Sequence, residues 1–319
     1  MSAQDFPTLA DIRAAQRRIA DRVHRTPTLS SRTLSERLGV PVFLKAETFQ
    51  KTGSFKARGA VNAVRQLSAD ARARGIVTIS AGNHAQAVAY AAGAERIRCV
   101  VVMPAHASKS KADATRGFGA EVILHGTVHE AFEMYERLQQ ERGLVPVHPF
   151  DDPAVIAGQG TVGLEILDDV PDASLVVVPV GGGGLISGVA TAIRESASRA
   201  RVVGVEPEDS AAMHRACAAG HPVRLERVGS IADGLGAPIV TERTLQIVRR
   251  YTEGVVLVND DEILDALRFL LERQKLLVEP AGAAGLAAAF GRLTMPAEGS
   301  LVIVLSGGNV DLARLKSWL

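Results

Sequence analysis

The chain has little of what marks the simplest function classes. Its 319 residues contain two cysteines, Cys99 and Cys217, in no metal-like spacing. That excludes a disulfide scaffold and a thiolate zinc site. Both lie in apolar or alanine-rich surroundings and read as buried free thiols, which suits a reducing, cytoplasmic compartment. Neither charge sign dominates: Lys+Arg 36 against Asp+Glu 35 leaves a net +1. A nucleic-acid or anionic-membrane partner is therefore not expected. The longest apolar runs, such as Leu175 to Val180, are strand-sized, far short of the roughly 20 residues that span a bilayer. Met1 to Leu9 lacks a basic region followed by an apolar one, so no signal peptide is expected. There are no internal repeats, low-complexity tracts or long linkers. No HExxH surrounds His125 and His129, and no Gly-Lys-Ser/Thr of a P-loop occurs.

What is present is an alternation. Hydrophobic residues make up 47% of the chain and mean hydropathy is +0.12, enough for a large core. Short β-branched runs (Val42–Lys45, Ile76–Ser80, Cys99–Met103, Glu121–Leu124, Leu175–Val180, Arg201–Val205, Leu301–Leu305) alternate with alanine-rich helical windows. The windows are Ala57–Gln66, His84–Ala92, Ser108–Phe118, His129–Arg142, Leu185–Ala197 and Asp261–Gln274. Continuous apolar strands separated by helices predict an α/β protein with mostly parallel sheets covered on both faces. Three strands crowd between residues 76 and 124, predicting a compact small domain over 75–147. The proline-rich Val145–Pro153 stretch serves as its crossing point. Residues 1–74 and 148–319 would form the large domain, with a ligand cleft at the strand carboxyl ends between them.

Four segments carry chemistry. In Thr52-Gly53-Ser54-Phe55-Lys56-Ala57-Arg58-Gly59-Ala60 a loop turns into a helix, with Thr52 or Ser54 as the expected N-cap. Lys56 then sits in the first turn, where unpaired N–H groups disfavour a cation and lower an amine's pKa. A neutral lysine can form a Schiff base with a carbonyl substrate or with pyridoxal phosphate; alone, a surface lysine is the commoner explanation. Ser80-Ala81-Gly82-Asn83-His84-Ala85-Gln86 joins a strand to a helix whose start suits a carboxylate or phosphate, or is an ordinary turn. Gly181-Gly182-Gly183-Gly184 costs backbone entropy that a plain turn would not require, which favours close approach of backbone amides to a phosphate. Ser306-Gly307-Gly308-Asn309 places a hydroxyl at a strand end, against a flat ligand or as a local cap. Glu279-Pro280 either orients a group in the cleft or starts a helix. A dinucleotide reading of the Gly181 loop with Glu206 as ribose ligand fails on spacing. From Gly181, Gly182 or Gly183 the fingerprint's third glycine falls on Ile186, Ser187 or Gly188, and the last requires Leu185 at the second glycine position.

In order and spacing these four segments resemble the fold-type II pyridoxal-phosphate enzymes, specifically the threonine/serine dehydratase and serine racemase branch. The similarity covers almost the whole chain. It implies the two-domain fold of the tryptophan synthase β type, with the small domain closing over the substrate. It implies that Lys56 holds pyridoxal 5'-phosphate as a Schiff base and that Phe55 and Gly234 flank its ring. Gly181, Gly182, Gly183 and Gly184 would bind the phosphate, Asn83 the ring hydroxyl and Ser306 the pyridine nitrogen. Ser80, Gly82, Asn83 and His84 would hold the substrate carboxylate.

The implied activity is dehydration of a β-hydroxy amino acid, L-threonine or L-serine first, to a 2-oxo acid and ammonia. Hydroxyaspartate or phenylserine dehydratase and serine or aspartate racemase are the alternatives. Racemases of this branch carry a serine where this chain has Ala81, which cannot transfer a proton, so a dehydratase is preferred. The resemblance also raises a divalent cation, magnesium or calcium, at Glu206 and the carbonyl of Ser210, although its acidic third ligand falls on Ala212. A homodimer is implied. The chain ends soon after Ser306, so feedback through the family's C-terminal regulatory domain is not expected.

Overall fold

The valine- and isoleucine-rich runs form strands that assemble two sheets. The structure, a computed structural model, describes residues 6–319. Met1 to Asp5, part of the stretch considered for a signal peptide, lie outside the described residues. In chain order the strands are β1 (Thr28–Ser30), β2 (Val42–Ala46), β3 (Ile76–Ile79), β4 (Cys99–Met103), β5 (Glu121–Leu124), β6 (Val145–Pro146), β7 (Ala173–Pro179), β8 (Arg201–Pro207), β9 (Val255–Val258) and β10 (Ser300–Leu305). The larger sheet runs β1-β2-β10-β7-β8-β9 and the smaller β5-β4-β3-β6. All pairings are parallel except β1 with β2. The strands β4 and β10 are buried along their whole length, as a parallel sheet covered on both faces requires. No helix among the described residues is long and apolar enough to cross a membrane.

The helix Pro153–Asp169 begins where the sequence predicts only an interdomain crossing. Pro153 is instead its first residue, where a missing N–H costs nothing. Asp152 caps it, accepting from the amides of Ala154 and Val155. This helix wedges between two others. A Cβ on Gly158 would lie 2.6 Å from the carbonyl oxygen of Arg58, in the helix Lys56–Arg65. A Cβ on Gly160 would lie 2.9 Å from the carbonyl oxygen of Gly188, in the helix Gly184–Glu195. Glycine thus brings the helices that follow Lys56 and the glycine loop onto one support. The expected helix Asp261–Gln274 also differs: it is α-helical over Asp260–Phe269, then winds as a π-turn over Leu270–Gln274.

A buried ion cluster fixes the same junction. Arg58 is fully buried and forks onto two carboxylates. Its Nε and Nη2 donate to Glu47 at 2.8 Å each. Its Nη1 and Nη2 donate to Glu165, in the wedge helix, at 2.7 and 2.9 Å. Lys45 adds a contact to Glu165 at 2.8 Å. A buried pair of this kind is costly to break because the remaining charges are left uncompensated. Arg58→Met is expected to destabilise the protein by about 3–5 kcal/mol in urea unfolding. A loss below about 1 kcal/mol, the range of surface pairs, would contradict this role.

Candidate active site

Between the two sheets lies a cavity of about 810 Å³. It is lined by Phe55, Lys56, Ser80, Ala81, Gly82, Asn83 and His84, by all four glycines Gly181–Gly184, and by Gly234, Glu279, Ser306 and Asn309. The four chemistry-bearing segments therefore meet in one place. A second cavity of about 770 Å³, lined by Arg13, Arg17, Asp168 and Arg199 among others, contains none of them.

Lys56 is the first residue of its helix, as expected, but the cap differs. Neither Thr52 nor Ser54 caps the helix; Phe55 occupies the N-cap position in helical conformation. The chain there is held by pairing instead: Ser54 bridges Gly307, and the Phe55 amide donates to the carbonyl of Ser306 at 3.0 Å. The Thr52 and Ser54 hydroxyls are left buried without a partner. The Lys56 amine donates to the carbonyl of Pro149 at 2.8 Å. Burial lowers its pKa from 10.5 to about 8.

The amides of Gly181, Gly182 and Gly183 donate to no backbone carbonyl of the fold. Gly183 has φ +91°, a conformation that L side chains rarely adopt. A Cβ on Gly182 would lie 2.2 Å from the Phe150 ring, so only a bare backbone fits there. At the other loop, Ser80 Oγ accepts from the Gly82 amide at 3.2 Å, shaping the turn into the helix Asn83–Ala94. The first-turn amides of that helix remain as an anion site. The His84 ring turns away to the carbonyl of Val147 at 3.0 Å and is held neutral, its pKa lowered to about 3 by burial and then by the Lys56 charge.

The side chain that sequence reasoning left undecided is Glu279. It is buried, its carboxyl pushed up to about 7 by burial, and it accepts from Asn83 Nδ2 at 2.6 Å. Asn309 Nδ2 donates to Asn83 Oδ1 at 2.8 Å. The Glu-Pro pair opening a helix is the only local signal; the partner Asn83 is 196 residues away in the chain.

Nothing among the described residues supports the cation site that the resemblance raised at Glu206 and Ser210. Both Glu206 oxygens accept backbone N–H groups, from Met213 and His214 at 2.8 Å each. The carboxyl, pushed up to about 8 by burial, caps the helix Ala212–Ala219. Among the described residues no group of three His, Cys, Asp or Glu side chains could hold a metal ion. The same capping disposes of Glu206 as a ribose ligand.

An enclosed amine with two sets of backbone donors for two anions defines an enzyme of α/β fold acting on a small charged molecule. The comparisons name the class. A family model described as pyridoxal-phosphate dependent enzyme matches residues 19–307, and the chain belongs to that family. It is 48% identical to an L-threonine ammonia-lyase of Thermotoga maritima over 306 residues, 96% of this chain and 76% of the relative. It is 40% identical to an L-threo-3-hydroxyaspartate ammonia-lyase of Saccharomyces cerevisiae, over 97% of this chain and 95% of the relative. The structure of maize serine racemase superposes with a TM-score of 0.94 at 39% identity, covering 98% of this chain and 96% of the other. The residues here fit the cofactor. Unpaired glycine amides suit a phosphate, a cradle that a Cβ would fill suits close approach, and a depressed lysine suits an aldehyde.

The buried amine makes a pH prediction for the apoprotein. Its folded pKa lies below the unfolded value, so the unfolded state binds more protons between about pH 8 and 10.5. Stability is penalised below that window and recovers as pH rises through it. Lys56→Met apoprotein should be roughly 2–3 kcal/mol more stable than wild type at pH 7, with the gap closing towards pH 10.5, by denaturant unfolding. A gap independent of pH would contradict the shift.

Proposed function

We propose that the protein is a pyridoxal-phosphate-dependent ammonia-lyase that dehydrates a β-hydroxy amino acid, L-threonine or L-serine first, to a 2-oxo acid and ammonia. The observation that carries the reading is the enclosed Lys56 amine sharing one cavity with the unpaired amides of Gly181–Gly183. Pyridoxal phosphate, when bound, supplies the electron sink that makes the substrate's Cα–H acidic and lets the β-hydroxyl depart. Lys56 anchors the cofactor's carbonyl carbon and, as a free neutral amine, takes the proton at Cα. Gly181, Gly182, Gly183 and Gly184 hold the phosphate. Phe55 and Gly234 flank the ring, and Asn83 donates to its hydroxyl. Ser306 offers the pyridine nitrogen a neutral hydroxyl, which does not hold a proton there as a carboxylate would. Ser80, Gly82, Asn83 and the backbone of His84 hold the substrate carboxylate. Residues 75–147 form the small domain that closes over the substrate, and residues 1–74 with 148–319 the large one. The free thiols of Cys99 and Cys217 support a cytoplasmic setting, and the resemblance supports a homodimer.

Ala81 lines the cavity where a racemase of this branch has a serine. That favours elimination over racemisation, because no hydroxyl at that position can return a proton to the opposite face. Hydroxyaspartate, the substrate in the yeast relative's name, is the second candidate.

The test is 2-oxo acid release from a panel of β-hydroxy amino acids. Lys56→Ala is expected to lose at least about 100-fold in turnover while remaining folded. Turnover within tenfold of wild type would refute the assignment. Ala81→Ser is expected to add measurable epimerisation of L-serine by chiral chromatography. If epimerisation stays undetectable while elimination persists, the missing hydroxyl is not what suppresses racemisation.

A further inference from the structure

The Asn83 side chain is committed on two sides. Its Oδ1 accepts from Asn309 Nδ2 at 2.8 Å, and one Nδ2–H goes to Glu279 Oε1 at 2.6 Å. Asn309 has no freedom to reverse, because its other N–H donates to the carbonyl of Thr52 at 2.7 Å. Flipping Asn83 would set its NH₂ against that of Asn309, a repulsive contact, and would forfeit the N–H that it gives to Glu279. Glu279 itself is pinned. Its backbone amide donates to the carbonyl of Gly307 at 3.1 Å. A Cβ on Gly307 would lie 2.4 Å from Glu279 Oε1, so the carboxyl group is tucked under the loop that carries Ser306. One N–H of Asn83 remains uncommitted, on a residue that lines the cavity.

We propose that Glu279 is a positioning residue acting through Asn83. Together with Asn309 it orients the amide so that a donor, not an acceptor, is offered to the ring oxygen of the cofactor. The relay also ties the helix start after β3, in the smaller sheet, to the loop after β10, in the larger. The ring oxygen is therefore met by a correctly turned amide only when the two are in contact. This inference rests on the function proposed above.

The test is substrate-free: the dissociation constant for pyridoxal phosphate and the absorbance spectrum of the bound cofactor. Loss of one such hydrogen bond is worth about tenfold in affinity. Glu279→Ala is expected to weaken binding about tenfold and to move the absorbance maximum. Glu279→Gln, whose amide oxygen accepts the same N–H, should stay within about threefold of wild type with an unmoved spectrum. Asn83→Ala should reproduce the Glu279→Ala changes, and the double variant should add nothing further. Should Glu279→Ala fail to fold, Asn309→Ser removes the other partner and should move the spectrum in the same sense. The proposal is overturned by a Glu279→Ala protein with wild-type affinity and spectrum, by additive effects with Asn83→Ala, or by a Gln variant as impaired as the Ala one. If Glu279→Ala is unfolded, an unmoved Asn309→Ser spectrum overturns it as well. A wild type with no Lys56-dependent cofactor absorbance refutes the assigned function instead, so the two failures are separable.

Discussion

Backbone contact between helices, permitted by glycine, is the constraint from which the site follows. The helix Pro153–Asp169 touches the helix after Lys56 through Gly158 and the helix after the glycine loop through Gly160. Side chains at these positions would push the helices apart by more than a well-packed core tolerates. The helices that follow Lys56 and the glycine loop are thus held on one support by main-chain contacts, while Lys56 and the loop itself line a single cavity.

Two cations on one helix meet opposite fates there. Arg58 is compensated by Glu47 and Glu165, and its pKa is raised. Lys56, two residues earlier, has only the carbonyl of Pro149 for its hydrogen bonds, and its pKa is lowered. The first arrangement anchors the helix, while the second leaves the amine reactive. Burial raises the pKa of both carboxyl groups, Glu206 and Glu279, and their partners differ. Glu206 is pushed up by burial, against the pull of the two helix-start N–H groups that it caps. Glu279 is buried beside the cavity and spends its acceptor on Asn83.

Much of this was legible in the chain because the signals were local. Valine runs such as Cys99–Met103 specify buried strands without help from elsewhere, and a run of four glycines after a strand has few structural uses. The helix Pro153–Asp169 is not legible although Asp152-Pro153 is a good start signal, because Pro146, Pro149 and Pro153 together read as a crossing between domains. The expected hydroxyl cap before Lys56 failed because Ser54 pairs with Gly307, more than 250 residues away in sequence. The strands β1 and β6, of three and two residues, are too short to show a period. Glu279 and Asn309 acquire their meaning only through Asn83, a contact that no window of sequence contains.

The proposed function stands or falls on whether the Lys56 amine grips the cofactor. Its most direct measurement is reduction of the protein with borohydride in the presence of pyridoxal phosphate, followed by peptide mapping. The account predicts a single pyridoxyl-modified peptide containing Lys56, and none from Lys56→Ala. Modification spread over surface lysines, or centred on a lysine outside the cavity, would contradict it.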